Sequence, residues 1–237
     1  VCCALRPKKT DHSLSSPEIA AMDVALATTP HIGTDEAGKG DYFGPLVVAA
    51  VFADEVALAR LPQAGIQDSK RITDSALPRR EEMVKQICPE HEVVLISPAR
   101  YNALYAQIGN LNRLLAWAHA RAIESLLARV SAEVAVADKF GDESYLERSL
   151  MARGRQLRLI QEVRAEADPA VAAASVLARA AFLRGLHRLS ARVGVQLPKG
   201  ATHVLPAARE VFAKGGVRLL GEVAKVHFRT TKQVVEG

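Results

Sequence analysis

Seven consecutive apolar residues, LVVAAVF at 46–52, constrain this chain more than any other feature. Such a run, bounded by turn signals, is typical of a buried strand. Just ahead of it, HIGTD at 31–35 is a short candidate strand that ends at two acids, Asp35 and Glu36. The link between the two strands, 37–45, is glycine-rich and short enough for them to pair as an antiparallel hairpin.

The rest of the chain alternates helical and strand periods. A helix is expected over 77–86 and a strand over 92–96. Leu111, Leu114, Leu115, Ala118, Ala122 and Leu126 recur at helical spacing, which predicts an amphipathic helix over 110–129. Short strands are expected at 134–137, ending at Asp138, and at 157–163, followed by Glu166. Asp168-Pro169 is a helix start, an acid at the N-cap and proline at the first helical position, and the helix it opens should reach residue 189. Strands alternating with helices point to an α/β fold, a mixed central β-sheet flanked by helices. Residues 1–30 show no period and read as a flexible N-terminal tail, leaving 31–237 as one folded domain.

With 49% hydrophobic and 24% charged residues, the 237-residue chain is neither fibrous nor wholly disordered. Its three cysteines, Cys2, Cys3 and Cys88, cannot build a disulfide framework, and no Cys/His spacing resembles a zinc site. The N-terminus lacks the apolar run of a signal peptide, and no uncharged apolar stretch of about 18 residues suits a membrane span. These features predict a cytoplasmic protein, no membrane contact and, by default, a monomer with no obligate protein partner. Net charge is +5. Residues 176–237 hold 11 Lys/Arg against 3 acids, while the other 175 hold 20 against 23. Arg184, Arg188 and Arg192 share one helix stripe, which suits either a solvated surface or a face that tracks phosphates.

Asp35, Glu36, Asp138 and Glu166 all fall at strand ends. Side-by-side strands would gather them at one rim of the sheet, where carboxylates repel unless hard cations neutralise them. Oxygen ligands without His or Cys favour Mg2+ or Mn2+, and two such ions suit phosphodiester hydrolysis. Spacing alone leaves open that these are unrelated surface acids. In the turn AGKGDYFGP, Gly38 and Gly40 permit close backbone approach and Lys39 adds charge, so a phosphate or sugar hydroxyl would fit there. A purely structural turn accounts for the same glycines.

Seven stretches together resemble the type 2 ribonuclease H family, and within it the ribonuclease HIII branch. They are GTDEAGKGDYFGPLVVAAV, QDSKRIT, the region from YNALY to GNLNRLLAWAHARAIE, VADKFG, AEADPAVAAASVLARAAFL, LPKGA and VAKVHFRTT, in order over residues 33–231. The resemblance implies a ribonuclease H-like fold with a helical C-terminal part. It also implies metal-dependent cleavage of the RNA strand of RNA/DNA hybrid duplexes, leaving 3′-hydroxyl and 5′-phosphate ends. The family's acids map onto Asp35, Glu36, Asp138 and Glu166, holding two Mg2+ or Mn2+ ions.

By the same resemblance Gly38, Lys39 and Gly40 read the 2′-hydroxyl, and Ser69 and Lys70 contact backbone phosphates. Ser175 either joins them or packs. The stem of Arg179 should be buried and its head turned toward the site. The branch also carries an N-terminal substrate-binding domain; only 30 residues precede His31, so hybrid affinity is expected from the catalytic domain itself. Two alternatives are a ribonuclease HII-type nuclease that nicks at single ribonucleotides in DNA, and a catalytically inactive hybrid-binding protein. The first is disfavoured because no tyrosine follows Tyr145, and the second because a pure binder gains nothing from four clustered acids. His119 reads as core or surface, Trp117 as packing, not a base-stacking platform, and Cys88 as a helix-end residue.

Overall fold

The LVVAAVF run becomes the second strand of a five-stranded sheet in a computed structural model that describes residues 28–66, 72–163 and 165–236. The strands are β1 (His31–Ala37), β2 (Leu46–Ala53), β3 (His91–Ile96), β4 (Val134–Asp138) and β5 (Arg158–Glu162), in spatial order β3-β2-β1-β4-β5. β1 pairs antiparallel with β2 and parallel with β4, so the sheet is mixed, as expected.

Eight helices are described: α1 (Glu55–Gln63), α2 (Leu77–Ile87), α3 (Pro98–Ile108), α4 (Leu111–Leu127), α5 (Glu143–Ser149), α6 (Pro169–Val193), α7 (Leu205–Val223) and α8 (Arg229–Val235). The expected helix over 110–129 is α4, with Asn110 as its N-cap accepting from the Arg113 amide. Asp168 caps α6 with Pro169 behind it, and Cys88 is the C-cap of α2. α6 runs past residue 189 to Val193, where Gly194 takes a left-handed φ of 61° and closes the last turn onto Ser190.

β2 explains the two-layer cover. Val47, Ala49, Val51 and Ala53 join the core under α6, while Leu46, Val48 and Ala50 join the core under α4. Period-2 alternation therefore buries both faces of one strand, which is why the run has no polar position. α6 is rich in alanine on its buried side and comes very close to β1: a Cβ added at Gly33 would lie 2.2 Å from the Ala170 carbonyl carbon. By length and composition α6 is apolar enough to cross a membrane, yet 83% of its apolar window is buried in this fold. Its hydrophobicity is spent on the core.

Only 28–30 of the expected tail lie among the described residues. One strand boundary differs from expectation in a way that matters. β1 does not stop at Asp35 but continues to Ala37, because its ladder with β2 runs on to the Ala37–Val47 pair. Asp35 and Glu36 are thus inside the strand, not after it, and point to opposite faces of the sheet.

Candidate active site

Alternation along β1 sorts its residues between the two helical layers. His31, Gly33 and Asp35 face α6; Ile32, Thr34 and Glu36 face α4. On the α6 side, Asp35 meets Ser175 in a hydrogen bond and accepts from the Glu36 amide at 2.8 Å. On the α4 side, Glu36 Oε2 lies 3.2 Å from His119 Nε2, and its other oxygen lies 3.4 Å from Lys39. His119 is fully buried and is locked from behind. Thr34 donates its hydroxyl proton to the Ala49 carbonyl, so His119 Nδ1 donates to Thr34 Oγ1 at 2.9 Å.

β4 lies beside β1 and ends in Asp138, which accepts from the Ala165 amide at 3.2 Å. That bond ties the end of β4 to the one-turn helix Ala165–Ala167, which carries Glu166. All four expected acids line one cavity of about 350 Å³, together with Gly38, Ser175, Arg179 and Lys199.

Electrostatics set the two acids of β1 apart. Burial, and then the neighbouring charge of Glu36 with a smaller push from Asp138, drives the Asp35 carboxyl up to about 7. Burial works in the same direction on Glu36, but the hydrogen bond and charge of His119, helped by Lys39, outweigh it and hold Glu36 below the usual range. Asp35 is therefore a buried carboxyl whose charge the protein does not neutralise. With Glu36, Asp138 and Glu166 it makes an oxygen-only set of four acids, which fits a hard divalent cation in donor chemistry. Among the described residues no three His, Cys, Asp or Glu side chains already meet around a single point. Glu36 is turned instead to His119 and Lys39.

The glycine turn is fastened from the far end of the chain. Gly38 has a φ of 88°, and a Cβ there would meet the Pro45 carbonyl oxygen at 2.2 Å, so only glycine fits. The buried ammonium of Lys225 donates to the carbonyls of Asp41 (2.8 Å) and Gly44 (2.9 Å), bracing both sides of the turn. Asp41 accepts from the Gly200 amide at 2.6 Å, which brings the LPKGA stretch and Lys199 to the cavity.

Of the expected substrate-binding residues, Gly38 and Ser175 line the cavity and Lys39 sits beside it through Glu36. Gly40 is in the same turn but not in the lining, with nothing within 4 Å of an added Cβ. Ser69 and Lys70 lie outside the described residues. Arg179 does reach the cavity, and both it and Lys199 pair with Asp74. The Arg184–Arg188–Arg192 stripe is partly engaged: Arg184 pairs with Glu81, and Arg192 lies 3.5 Å from Glu222. His119, Asp41, Lys199 and Lys225 were not assigned to the site from the sequence. Counted at 100° per residue, His119 falls between Leu126 and Ile123 on the buried side of α4, so its burial follows from the helix pattern while its partner Glu36 does not.

The sequence model of the family described as ribonuclease HII matches residues 32–231. The chain belongs to that family, the type 2 ribonucleases H. Within it, the similarity runs to ribonuclease HIII. The ribonuclease HIII of Protochlamydia amoebophila is 41% identical over 208 residues, 87% of this chain and 69% of the relative. That of Chlamydia muridarum is 40% identical over 227 residues, 92% of this chain and 75% of the relative. The crystal structure of Bst-RNase HIII in complex with Mn2+ superposes with a TM-score of 0.84 at 32% identity, covering 98% of this chain and 76% of that one. The ribonuclease H2 of Pyrococcus horikoshii OT3 shares the fold, with a TM-score of 0.75 at 23% identity over 88% of this chain and 98% of that one.

Proposed function

We propose that the chain is a divalent-metal-dependent endonuclease that cuts the RNA strand of RNA/DNA hybrids, leaving 3′-hydroxyl and 5′-phosphate ends. The observation that carries this reading is the convergence of Asp35, Glu36, Asp138 and Glu166 on one cavity beside the Gly38 turn, in a chain similar to ribonuclease HIII. Bound between these carboxylates, a pair of Mg2+ or Mn2+ ions supplies activation of the attacking water and stabilisation of the departing 3′-oxygen.

The chain's own residues do the positioning. Asp35 and Asp138, from adjacent strands, would hold the metal together with Glu36 and Glu166. Ser175 fixes the Asp35 carboxyl, and His119 fixes Glu36. The Gly38–Lys39–Gly40 turn presents backbone and ammonium to the 2′-hydroxyl, the group that separates RNA from DNA. Arg179 and Lys199 stand at the cavity for phosphates of the cut strand, with Ser69 and Lys70 adding phosphate contacts. The protein works as a monomer in the cytoplasm, where its buried Cys88 stays a thiol.

Two labelled duplexes test the reading, a continuous hybrid and a DNA duplex with one embedded ribonucleotide, each with Mg2+ or Mn2+. Cutting at several positions within the hybrid is expected, with little at the single ribonucleotide. Asp138→Asn should fold, bind the hybrid unchanged or more tightly, and not cut. A fully active Asp138→Asn protein would sink the mechanism.

A further inference from the structure

A second groove, of about 560 Å³, takes no part in the chemistry above. It is lined by Ile108, Arg113, Trp117, Tyr145, Arg148 and Ser149, with no carboxylate among them. Trp117, expected to be packing, is 41% exposed. It stands between Arg113 and Arg121 on the exposed stripe of α4, at i, i+4 and i+8. Neither arginine has an ion-pair partner among the described residues. Across the groove, Arg148 is held by its Nε donating to the Ser144 carbonyl at 2.9 Å, and its guanidinium lies 5.8 Å from the centre of the Tyr145 ring.

The groove and the acidic cavity share α4, which carries Arg113 and Trp117 in the groove and His119 behind Glu36. Residues 128–133 turn the chain from α4 into β4, so the first half of α4 lies toward the end of β4 that carries Asp138. Close contacts connect the two regions. A Cβ on Gly141 would sit 2.7 Å from Asn112 Nδ2; Phe140 stacks on His119 with ring centres 4.8 Å apart; and Lys39 lies 5.8 Å from the centre of the Phe140 ring.

We infer that this groove binds an unpaired nucleic-acid strand flanking the hybrid, with Trp117 and Tyr145 as stacking surfaces and Arg113 and Arg148 as phosphate clamps. Two arginines and two aromatic rings without an acid match a polyanion that offers flat apolar faces. An intact duplex keeps its bases stacked on one another, so only an unpaired strand presents a base face to an indole. As a substrate surface the groove rests on the nuclease reading, but its binding can be measured without catalysis.

Trp117 is the chain's only tryptophan, so its fluorescence reports this groove alone. Titration of the full chain with a short oligothymidylate in EDTA should give saturable quenching. The double variant Arg113→Ala/Arg148→Ala should weaken the midpoint by about tenfold and reduce the salt slope by about 1.4, at roughly 0.7 per lost phosphate contact on a single strand. Arg60→Ala removes one charge from α1, on the other side of the sheet, and should leave the midpoint unmoved. Trp117→Leu, followed by anisotropy of a labelled oligothymidylate, should also bind about tenfold more weakly. The mutated side chains are largely solvent-facing, and circular dichroism checks that each variant folds. A hybrid with a thymidine overhang should bind several-fold more tightly than the same hybrid with blunt ends.

Absence of quenching, or quenching whose midpoint ignores the double variant, overturns the groove. Hybrid cleavage without quenching sinks the groove and spares the nuclease; quenching without cleavage does the reverse.

Discussion

The two ends of β1 bury ionisable groups on the same face of the sheet, against the same helix, with opposite outcomes. At its start, fully buried His31 meets Asp168 at 2.9 Å, and Asp168 also accepts from the Val171 amide as the N-cap of α6. Burial opposes the charged ring, but the bond and charge of Asp168 outweigh it and hold His31 above its ordinary value. At its end, Asp35 has only Ser175 and a backbone amide against burial and two like charges, and it is driven up to about 7. Opposite charges closed on each other are architecture. Like charges gathered in a cavity weaken the fold, and such sites are where function concentrates.

The largest effect should come from neutralising the strained end. Asp35→Asn removes a proposed metal ligand and should lower hybrid cleavage by about a thousandfold or more, the equivalent of several kcal/mol of transition-state stabilisation. The same change should stabilise the protein in EDTA. An acid raised on folding costs nothing below its ordinary pKa; the cost grows as pH rises from there and is complete above the folded value. A rise from 3.8 to about 7 sets an upper bound of about 4 kcal/mol on that gain. Denaturant unfolding at alkaline pH without metal measures it. A metal-free Asp35→Asn protein that is less stable than the parent would erase the contrast between the two ends.

The middle of β1 sets both ends, because Gly33 lets α6 settle onto the strand. Gly33→Ala places a methyl 2.2 Å from the backbone of Ala170 and Val171, which cannot swing aside as a side chain would. Destabilisation of about 3 kcal/mol is expected, with loss of both the His31–Asp168 and Asp35–Ser175 contacts. Gly40→Ala is the counterpart in the turn. With nothing within 4 Å of the added carbon it should shift stability by less than about 0.5 kcal/mol, so any change in hybrid KM reports substrate contact alone. Equal unfolding midpoints for the two variants would show that α6 does not depend on the close approach.

What the sequence made legible follows the same physics. LVVAAVF could be placed because a strand buried on both faces has no polar position, and Asp168-Pro169 because N-cap chemistry is local. The acids could be gathered because strand ends share an edge, although β1 continues past Asp35 through pairing that only its partner strand determines. Helix α3 went unread despite Ser97-Pro98 at its start and Gly109 at its end, since its 11 residues bury only Pro98 and Tyr101 and leave little apolar period. Trp117 was readable in principle. At 100° per residue it falls about 60° outside the arc of Leu114, Leu115, Ala118 and Leu126. The grip of His119 on Glu36 spans 83 residues of chain and was invisible to any local pattern.

The paired end is tested through pH. Because His31 is held above its ordinary value of 6.5 in the fold, the stability it contributes is fully present below 6.5 and is lost as pH rises through the raised value. Asp168→Asn keeps an acceptor of similar capping strength for the Val171 amide but removes the negative charge from His31. The variant should therefore lose the acid-side part of this stability and little else. The deficit stays within about 2 kcal/mol, the scale of a hydrogen bond to a charged group. Unfolding of parent and variant at intervals between about pH 5 and 8 gives the comparison directly. The gap should be widest at the acid end and shrink toward the alkaline end, opposite in sign to the Asp35→Asn gain, which appears as pH rises. A gap that is flat across this range would mean that Asp168 serves β1 only as a helix cap, and that the charge pairing at this end of the strand contributes nothing.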